Sequence, residues 1–336
     1  MPVADEEVTT RIEAGKYPWH DSRWATLTRD LARLPHALLL HGQAGLGKNA
    51  FALRLAQFLL CRERTEDKQA CGACQSCTLF RVGNHPDLVR VAPQEDSSNI
   101  LVDQIRGIIE LLSFKPHMAG QKIVIISPAE AMNINASNSL LKILEEPPAG
   151  SLLILVTTHI SRVSATIRSR CTRMAYSAPP LSEALAWLQS QAVNPGAAEA
   201  LLALAGGAPL TAAKLAEDGY ARKQTYFLGD LAALAQRGDP VAYAERWKVT
   251  GTDYCLAWLH RFMFSVIRSQ AGSITEGFVA IQLPKINKTF PISIIDLFKF
   301  IDKISLVRRQ LGTGVDETLM LEELLIQWCE MSSMAA

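Results

Sequence analysis

A glycine-rich turn between an apolar run and a helix-like segment limits the possible folds of this chain more than any other feature. The turn reads Gly42-Gln43-Ala44-Gly45-Leu46-Gly47-Lys48-Asn49. Glycines let the backbone N–H groups of such a turn converge on phosphate oxygens, and the lysine reaches the terminal phosphates. Residues 37–40 before it are apolar, as in a buried parallel strand. The pattern predicts a strand, a phosphate loop and a helix over residues 48–60, with candidate nucleotide-binding residues Gly42, Gly45, Gly47, Lys48 and Asn49.

The turn lacks parts of a working ATP site. Asn49 stands where a serine or threonine hydroxyl would ligate magnesium, and a carboxamide is a poorer ligand. Hydrolysis also needs carboxylates at the end of the next apolar strand, but residues 123–126 run into Ser127-Pro128-Ala129. We interpret Glu130, beyond the proline, as a solvated carboxylate or a helix cap. The chain is therefore expected to hold ATP or ADP passively at most, and a turn that binds no phosphate is the alternative.

Four cysteines follow the predicted helix, at Cys61, Cys71, Cys74 and Cys77. The Cys-x2-Cys-x2-Cys spacing presents three thiolates on a tight turn, and Cys61 supplies a fourth from the helix end. Four protein thiolates suit a tetrahedral zinc ion and leave no open position for water or substrate, which predicts a structural zinc module over residues 61–77. A disulfide set or scattered core thiols is the alternative, and the lack of an apolar signal peptide disfavours it.

Length, charge and hydrophobicity narrow the class of protein. The chain has 336 residues, of which 49% are hydrophobic, enough for two or three domains with buried cores. A formal net charge of +1 gives no global attraction to nucleic acid or acidic lipid. No apolar run approaches the length of a bilayer span. We therefore expect a cytoplasmic protein without membrane contacts.

Apolar strands and amphipathic helices alternate up to Pro179-Pro180. The predicted strands are residues 37–40, 87–92, 122–127, 151–158 and 173–176, with further helices over 102–112 and 136–146. This alternation implies a five-stranded parallel sheet covered on both faces, and the two prolines end it. The later pattern is helical, with segments 181–191, 197–204, 210–216, 256–269, 292–311 and 317–331. We predict an α/β domain over residues 1–178 with a loose leader to about Gly15, a small helical domain over 179–219 and an all-helical domain over 220–336.

Two further motifs carry a resemblance to a known family. A helix that ends in two prolines reads Asn138-Ser139-Leu140-Leu141-Lys142-Ile143-Leu144-Glu145-Glu146-Pro147-Pro148, and Ser169-Arg170-Cys171 precedes the last predicted strand. Singly, the first is an ordinary covering helix and the arginine a surface ion pair. Together with the cysteine module they resemble the clamp-loader subunits of bacterial DNA polymerase III. The Tyr17-Pro18-Trp19 start, the missing acids and Asn49 are similar to the delta' branch of that family rather than to the ATP-hydrolysing tau and gamma subunits.

The resemblance covers the chain from about Tyr17 to its end. It implies an AAA+ P-loop domain with a zinc-knuckle insert, then a helical lid and a C-terminal helical collar that joins five subunits into a ring. It also implies that Arg170 is an arginine finger for the ATP site of a neighbouring tau or gamma subunit. The implied partners are the tau or gamma and delta subunits and, through the complex, the sliding clamp and primed DNA. Residues 206–213, which match the family's second sensor, contain no arginine.

The leading interpretation is a non-hydrolysing clamp-loader subunit that helps to load the sliding clamp during replication. The first alternative is an autonomous P-loop ATPase that uses Lys48, but its magnesium ligands are missing. The second is a zinc-knuckle protein that binds nucleic acid. Against it, the module balances basic with acidic residues and has no aromatic stacking platform. These charged residues are Arg62, Arg64, Lys68, Glu63, Glu66 and Asp67.

Overall fold

The computed structural model describes residues 15–94, 97–118, 120–271, 292–311 and 314–333. They form two compact units that divide between Glu183 and Ala184. The predicted leader lies almost wholly outside the described residues. Each unit is considered by itself.

The first unit is built on a five-stranded sheet. Its strands are β1 (Ala37–Gly42), β2 (Leu88–Val91), β3 (Lys122–Ile126), β4 (Ser151–Thr157) and β5 (Thr172–Tyr176). They lie in the order β2-β3-β4-β1-β5, and every neighbouring pair is parallel. The five predicted strands and their parallel pairing are confirmed.

The interior strand β1 is apolar because both of its faces are covered. Leu38, Leu39 and Leu40 are fully buried, and Leu39 pairs with Leu155 of β4 on one side and Arg173 of β5 on the other. The strand then ends in the glycine-rich turn. Because all five strands run the same way, their carboxyl ends meet at the edge of the sheet where this turn lies.

Six helices accompany the sheet: α1 (Asp21–Arg29), α2 (Lys48–Leu60), α3 (Gln75–Arg81), α4 (Val102–Ser113), α5 (Ile134–Glu145) and α6 (Ala165–Arg170). The predicted helices correspond to α2, α4 and α5. Helices α4 and α5 bury their apolar stripes in one core with β3 and β4, to which Ile108 and Leu140 contribute. The short helices α1, α3 and α6 were not predicted, because they span too few turns to show a clear apolar period.

The second unit is helical throughout the residues described, as predicted. Helix α7 (Leu181–Ser190) crosses the division between the units. The others are α8 (Pro195–Leu204), α9 (Pro209–Glu217), α10 (Tyr220–Ala235), α11 (Pro240–Thr250), α12 (Thr252–Gln270), α13 (Ile294–Gln310) and α14 (Glu317–Ser333). Since residues from Ala184 onward form one compact unit, their further division into lid and collar stays a prediction.

Aromatic residues and a buried carboxylate join helices α10, α11 and α12 of the second unit. Phe227 of α10 lies with its ring centroid 5.0 Å from Trp247 and 4.8 Å from Trp258. Asp230 is buried beside them, where it accepts a hydrogen bond of 2.8 Å from Trp247 Nε1 and pairs with Arg246. No single helix in the described ranges is long and apolar enough to cross a bilayer. Helices α8 and α9 pass that test only as a pair, and the pair is bent by 119°.

Truncation of a buried side chain of β1 tests the packing of the first unit. We expect Leu39→Ala to lower the free energy of unfolding by about 2–5 kcal/mol, because it leaves a cavity in the core that β1 shares with α4 and α5. Leu111→Ala on α4 is the control. Leu111 is 47% exposed, and its loss is expected to cost under about 1 kcal/mol. Chemical denaturation of both variants measures the difference, and equal losses would contradict this account of the core.

Candidate nucleotide and metal sites

Three glycines shape the turn after β1, which is called the phosphate loop below. Gly42, Gly45 and Gly47 have φ angles of 141°, 76° and 78°, which other residues rarely adopt. A Cβ at Gly42 would lie 2.1 Å from the backbone oxygen of Tyr176, so β5 leaves no room for a side chain there. The structure thus brings together the glycines that the sequence singled out.

The lysine of the loop is folded back onto it. Lys48 is the first residue of α2 and is 5% exposed. Its Nζ donates to the backbone oxygen of Gln43 at 2.8 Å. The carboxamide oxygen Oδ1 of Asn49 is buried and has no hydrogen-bond partner among the residues described. A cradle of positive-φ glycines at a helix N-terminus, with a lysine across it, has the donors that a phosphate group needs.

The loop lies in a positive electrostatic environment. Burial lowers the pKa of His41 at the end of β1, and the positive charges of Arg173 and Lys48 lower it further. Cations that disfavour a protonated histidine favour a bound anion for the same reason. The residues present therefore fit a nucleotide phosphate. Their assignment as a nucleotide site stays a prediction.

A short aromatic segment, residues 17–20, packs against the phosphate loop. Trp19 Nε1 donates to the backbone oxygen of Leu46 at 3.0 Å, and His20 Nε2 bonds to the same oxygen at 2.8 Å. Tyr17 stacks on Trp19 with ring centroids 5.1 Å apart. Sequence reasoning used Tyr17-Pro18-Trp19 only as part of a resemblance and missed His20 entirely. A buried histidine in a polar-looking stretch gives no pattern that points to a loop 26 residues away.

Glu130 differs from its sequence interpretation. Its side chain is only 9% exposed, so it is not a solvated carboxylate. Oε1 accepts hydrogen bonds from the backbone N–H of Thr158 at 3.0 Å and from its hydroxyl at 2.7 Å. Burial would raise the pKa of this carboxyl, but hydrogen bonds from the Thr157 and Thr158 side chains lower it to about 2. The carboxylate thus binds the end of β4, and Ser127 and Pro128 occupy the end of β3.

The four cysteines of the predicted zinc module come together. The Sγ atom of Cys61 lies 3.6 Å from that of Cys71 and 3.9 Å from that of Cys74, and Cys71 and Cys77 are 3.9 Å apart. All four sulfurs lie within 4.8 Å of one another. A tetrahedral ion with Zn–S bonds of about 2.3 Å would separate its sulfurs by about 3.8 Å. The donor set therefore fits zinc, which these four residues would hold.

Backbone groups support the thiolates. The N–H groups of Cys71 and Cys74 each lie 3.3 Å from a cysteine sulfur. Burial raises the pKa of Cys77, as it does for Cys61. Burial also raises the pKa of Cys74, but backbone hydrogen bonds from Cys77 and Arg62, together with side-chain hydrogen bonds from Cys71 and Cys77, bring that pKa to about 6. A bound cation would stabilise all of these thiolates.

A buried polar chain joins the cysteine module to the sheet. His85 Nδ1 accepts the backbone N–H of Asp87, so the neutral ring carries its proton on Nε2, 2.8 Å from Ser76 Oγ. Ser76 in turn donates to the backbone oxygen of Leu60 at 2.7 Å. A histidine that donates to a serine cannot also take the proton of that serine. This serine, histidine and aspartate therefore fix α3 against α2 and β2 rather than form a nucleophile.

Arg170 is the last residue of α6, at the surface of the first unit. Its Nη2 lies 2.7 Å from Glu145 Oε1 at the end of α5, and its Nη1 donates to the backbone oxygen of Thr166 at 3.0 Å. The arginine side chain is 36% exposed. The structure thus pairs residues from the two motifs that carried the resemblance. The role of Arg170 as a finger stays a prediction.

Comparison with known proteins agrees with this geometry. A family model described as "DNA polymerase III, delta subunit" matches residues 21–179. A Pseudomonas aeruginosa protein named "DNA polymerase III subunit delta'" is 34% identical and covers 94% of this chain and 98% of its own. A protein of the same name from Yersinia pestis is 31% identical and covers 93% of this chain and 95% of its own.

A solved structure shares the fold. It is a DNA polymerase III gamma subunit-related protein from Thermotoga maritima, with a TM-score of 0.50 and 20% identity over 91% of this chain and 98% of its own. The predicted fold, an α/β domain on a five-stranded parallel sheet with a cysteine insert followed by a helical region, is confirmed.

Metal analysis tests the cysteine module. We expect a reduced preparation to contain about one zinc ion per chain, and Cys74→Ser to lose it, because three thiolates do not close a tetrahedral site. Hydrogen exchange over residues 61–87 should then accelerate. Cys329→Ser is the control, since this cysteine lies outside the module in α14. A reduced wild-type chain without zinc would end the assignment.

The buried histidine predicts an acid-sensitive stability. Burial is the main reason that the pKa of His20 falls from 6.5 to about 4, and the positive charges of Arg23 and Arg54 lower it further. The hydrogen bond to Leu46 and the negative charge of Asp21 act in the opposite direction. As the pH falls below 6.5, His20 is protonated in the unfolded chain but stays neutral in the native protein. The free energy of unfolding therefore decreases until about pH 4, where the native ring is protonated as well.

We expect His20 alone to lower the free energy of unfolding by about 2 kcal/mol between pH 7 and pH 4.5. Denaturation of wild type and His20→Phe at both pH values measures it, because the variant should lack that part of the loss. The same pH dependence in both proteins would show that His20 titrates normally.

Proposed function

The chain belongs to the family of the delta' subunits of DNA polymerase III, and we propose that it is a non-hydrolysing member of the clamp-loader ring. In this proposal Arg170 enters the ATP site of a neighbouring tau or gamma subunit. The chain thereby couples that neighbour's ATP to the placing of the sliding clamp on primed DNA. Its other direct partner is the delta subunit.

The carboxylate of Glu130 carries the non-hydrolysing part of the proposal. A P-loop ATPase needs an acid after β3 to hold magnesium and another to orient water. Ser127 and Pro128 stand at that position, and the nearest acid along the chain is bonded to Thr158. Oε1 of this carboxylate accepts both hydrogen bonds from Thr158, and the side chain is only 9% exposed, so it is poorly placed to bind magnesium or to orient a water. The phosphate loop would then hold ATP or ADP without turning it over.

The position of Arg170 supports its role in a neighbouring site. The guanidinium lies at the surface at the end of a helix, and its carboxylate partner Glu145 is 51% exposed. An exposed ion pair of this kind contributes under about 1 kcal/mol, so the arginine can exchange Glu145 for a phosphate at small cost. A guanidinium at a γ-phosphate offsets the charge that develops during transfer.

The zinc module and the helical unit have structural roles in this proposal. Four thiolates leave no open position on a bound zinc, which would stabilise residues 61–77 and carry out no chemistry. The helical residues 220–336 would form the collar that joins the subunits, and residues 179–219 the lid. The cytoplasmic location expected from the sequence is part of the same proposal.

Removal of the proposed finger tests the function. In a loader reconstituted with tau or gamma and delta subunits, Arg170→Ala should leave assembly intact and slow ATP hydrolysis at the adjoining site by about 10³-fold or more. Arg162→Ala is the matched control, since Arg162 is an exposed arginine in the segment that leads to α6. DNA-stimulated ATPase of both complexes measures the effect. Equal activity of the two variants would remove Arg170 from the site.

The purified chain distinguishes the alternatives. With magnesium and ATP it should show no turnover above that of Lys48→Ala. Turnover that Lys48→Ala abolishes would instead favour an autonomous ATPase. Salt-sensitive DNA binding by the isolated chain that chelation removes would favour a zinc-knuckle nucleic-acid protein.

A further inference from the structure

We infer that Trp19 and His20 are positioning residues that hold the phosphate loop in the shape that binds the phosphates of a nucleoside di- or triphosphate. This inference rests on the passive nucleotide site proposed above and names the residues that keep it formed. Neither residue belongs to the loop itself. They act through a single peptide group, the one between Leu46 and Gly47.

Two ring N–H groups fix the orientation of that peptide. Both side chains bond to the backbone oxygen of Leu46, at 3.0 and 2.8 Å. A carbonyl oxygen can only accept, so both rings donate their N–H to it. In a trans peptide the C=O and N–H groups point in opposite directions. The N–H of Gly47 therefore points away from the aromatic rings, as a phosphate loop requires of this group.

The His20 ring has little freedom to move. His20 is fully buried, with Phe51 and Tyr176 against its ring at centroid distances of 5.3 and 5.4 Å. Its Nδ1 has no hydrogen-bond partner among the described residues. The ring consequently has one polar contact, the bond to Leu46, which selects the tautomer with the proton on Nε2.

The loop also fits closely against the same segment. A Cβ at Gly47 would lie 2.7 Å from the ring of Tyr17 and 3.0 Å from Cε1 of His20. Arg23 then fixes the segment to the sheet, because its guanidinium donates to the backbone oxygens of Ala175 and Trp19 at 2.8 and 3.3 Å. The phosphate loop is therefore fixed at two places. It follows β1 in the chain, and it packs against residues 17–20, which Arg23 links to β5.

The experiment compares single variants of the full chain. His20→Phe and Trp19→Phe each keep an aromatic ring and remove one donor. Calorimetric titration with ADP and with magnesium ATP should show affinity about five- to tenfold weaker for each variant than for wild type. Hydrogen exchange of residues 43–49, measured without nucleotide, should accelerate in both.

Two further variants separate positioning from packing. Trp24→Phe removes the same kind of bond from a tryptophan that also packs on Phe51, because Trp24 Nε1 donates to the backbone oxygen of Lys68 at 3.2 Å and not to the loop. It should leave loop exchange and nucleotide affinity unchanged. His20→Gln offers an N–H donor of similar reach and should restore part of both.

The outcomes separate this inference from the function on which it rests. If wild type binds neither nucleotide, and Lys48→Ala behaves identically, the passive site is wrong, and loop exchange still decides the role of Trp19 and His20. If His20→Phe and Trp19→Phe match Trp24→Phe in loop exchange, the two residues do not position the loop. Faster exchange in those two variants alone, with weaker binding and partial recovery in His20→Gln, supports the inference.

Discussion

Parallel pairing of the five strands brings their carboxyl ends to one edge of the sheet, and the groups at that edge determine what this chain can do. The phosphate loop follows β1, Ser127 follows β3 and Thr158 follows β4. In an ATPase of this architecture the end of β3 would carry the magnesium-binding acid. Here the acid next in sequence, Glu130, is ionised and bonded to Thr158. The sheet and the phosphate loop form the framework of this edge, and no carboxylate follows β3 directly in the sequence.

Two sets of buried contacts connect the segments around this framework. Trp19 and His20 reach the phosphate loop through Leu46, and Ser76 and His85 join the cysteine module to the start of β2. In both sets a histidine is buried as the neutral ring, and its tautomer follows from the backbone group that it contacts. These are ordinary hydrogen bonds, each worth about 1 kcal/mol. These bonds matter because they fix the phosphate loop and the cysteine module to buried parts of the first unit.

Sequence patterns predicted the features that depend on neighbouring residues. Continuous apolar runs such as Leu38 to Leu40 predicted buried parallel strands, and the cysteine spacing predicted four sulfurs at zinc distances. Features that depend on contacts distant in sequence were missed or misread. No local pattern shows that His20 forms a hydrogen bond with the backbone of Leu46 or that Glu130 accepts hydrogen bonds from Thr158. Glu145 and Arg170 were each noted within a motif, but their pairing follows from how α5 and α6 pack.

The central claim is that this chain keeps the architecture of an ATPase and provides a cation to the protomer beside it. The most direct measurement is a structure of the assembled loader with a non-hydrolysable ATP analogue. The account predicts that the Arg170 guanidinium leaves Glu145 and lies within about 3 Å of the γ-phosphate bound by the neighbouring subunit. Arg170 still paired with Glu145 and distant from every neighbouring phosphate, or carboxylates of this chain holding magnesium at its own phosphate loop, would contradict it.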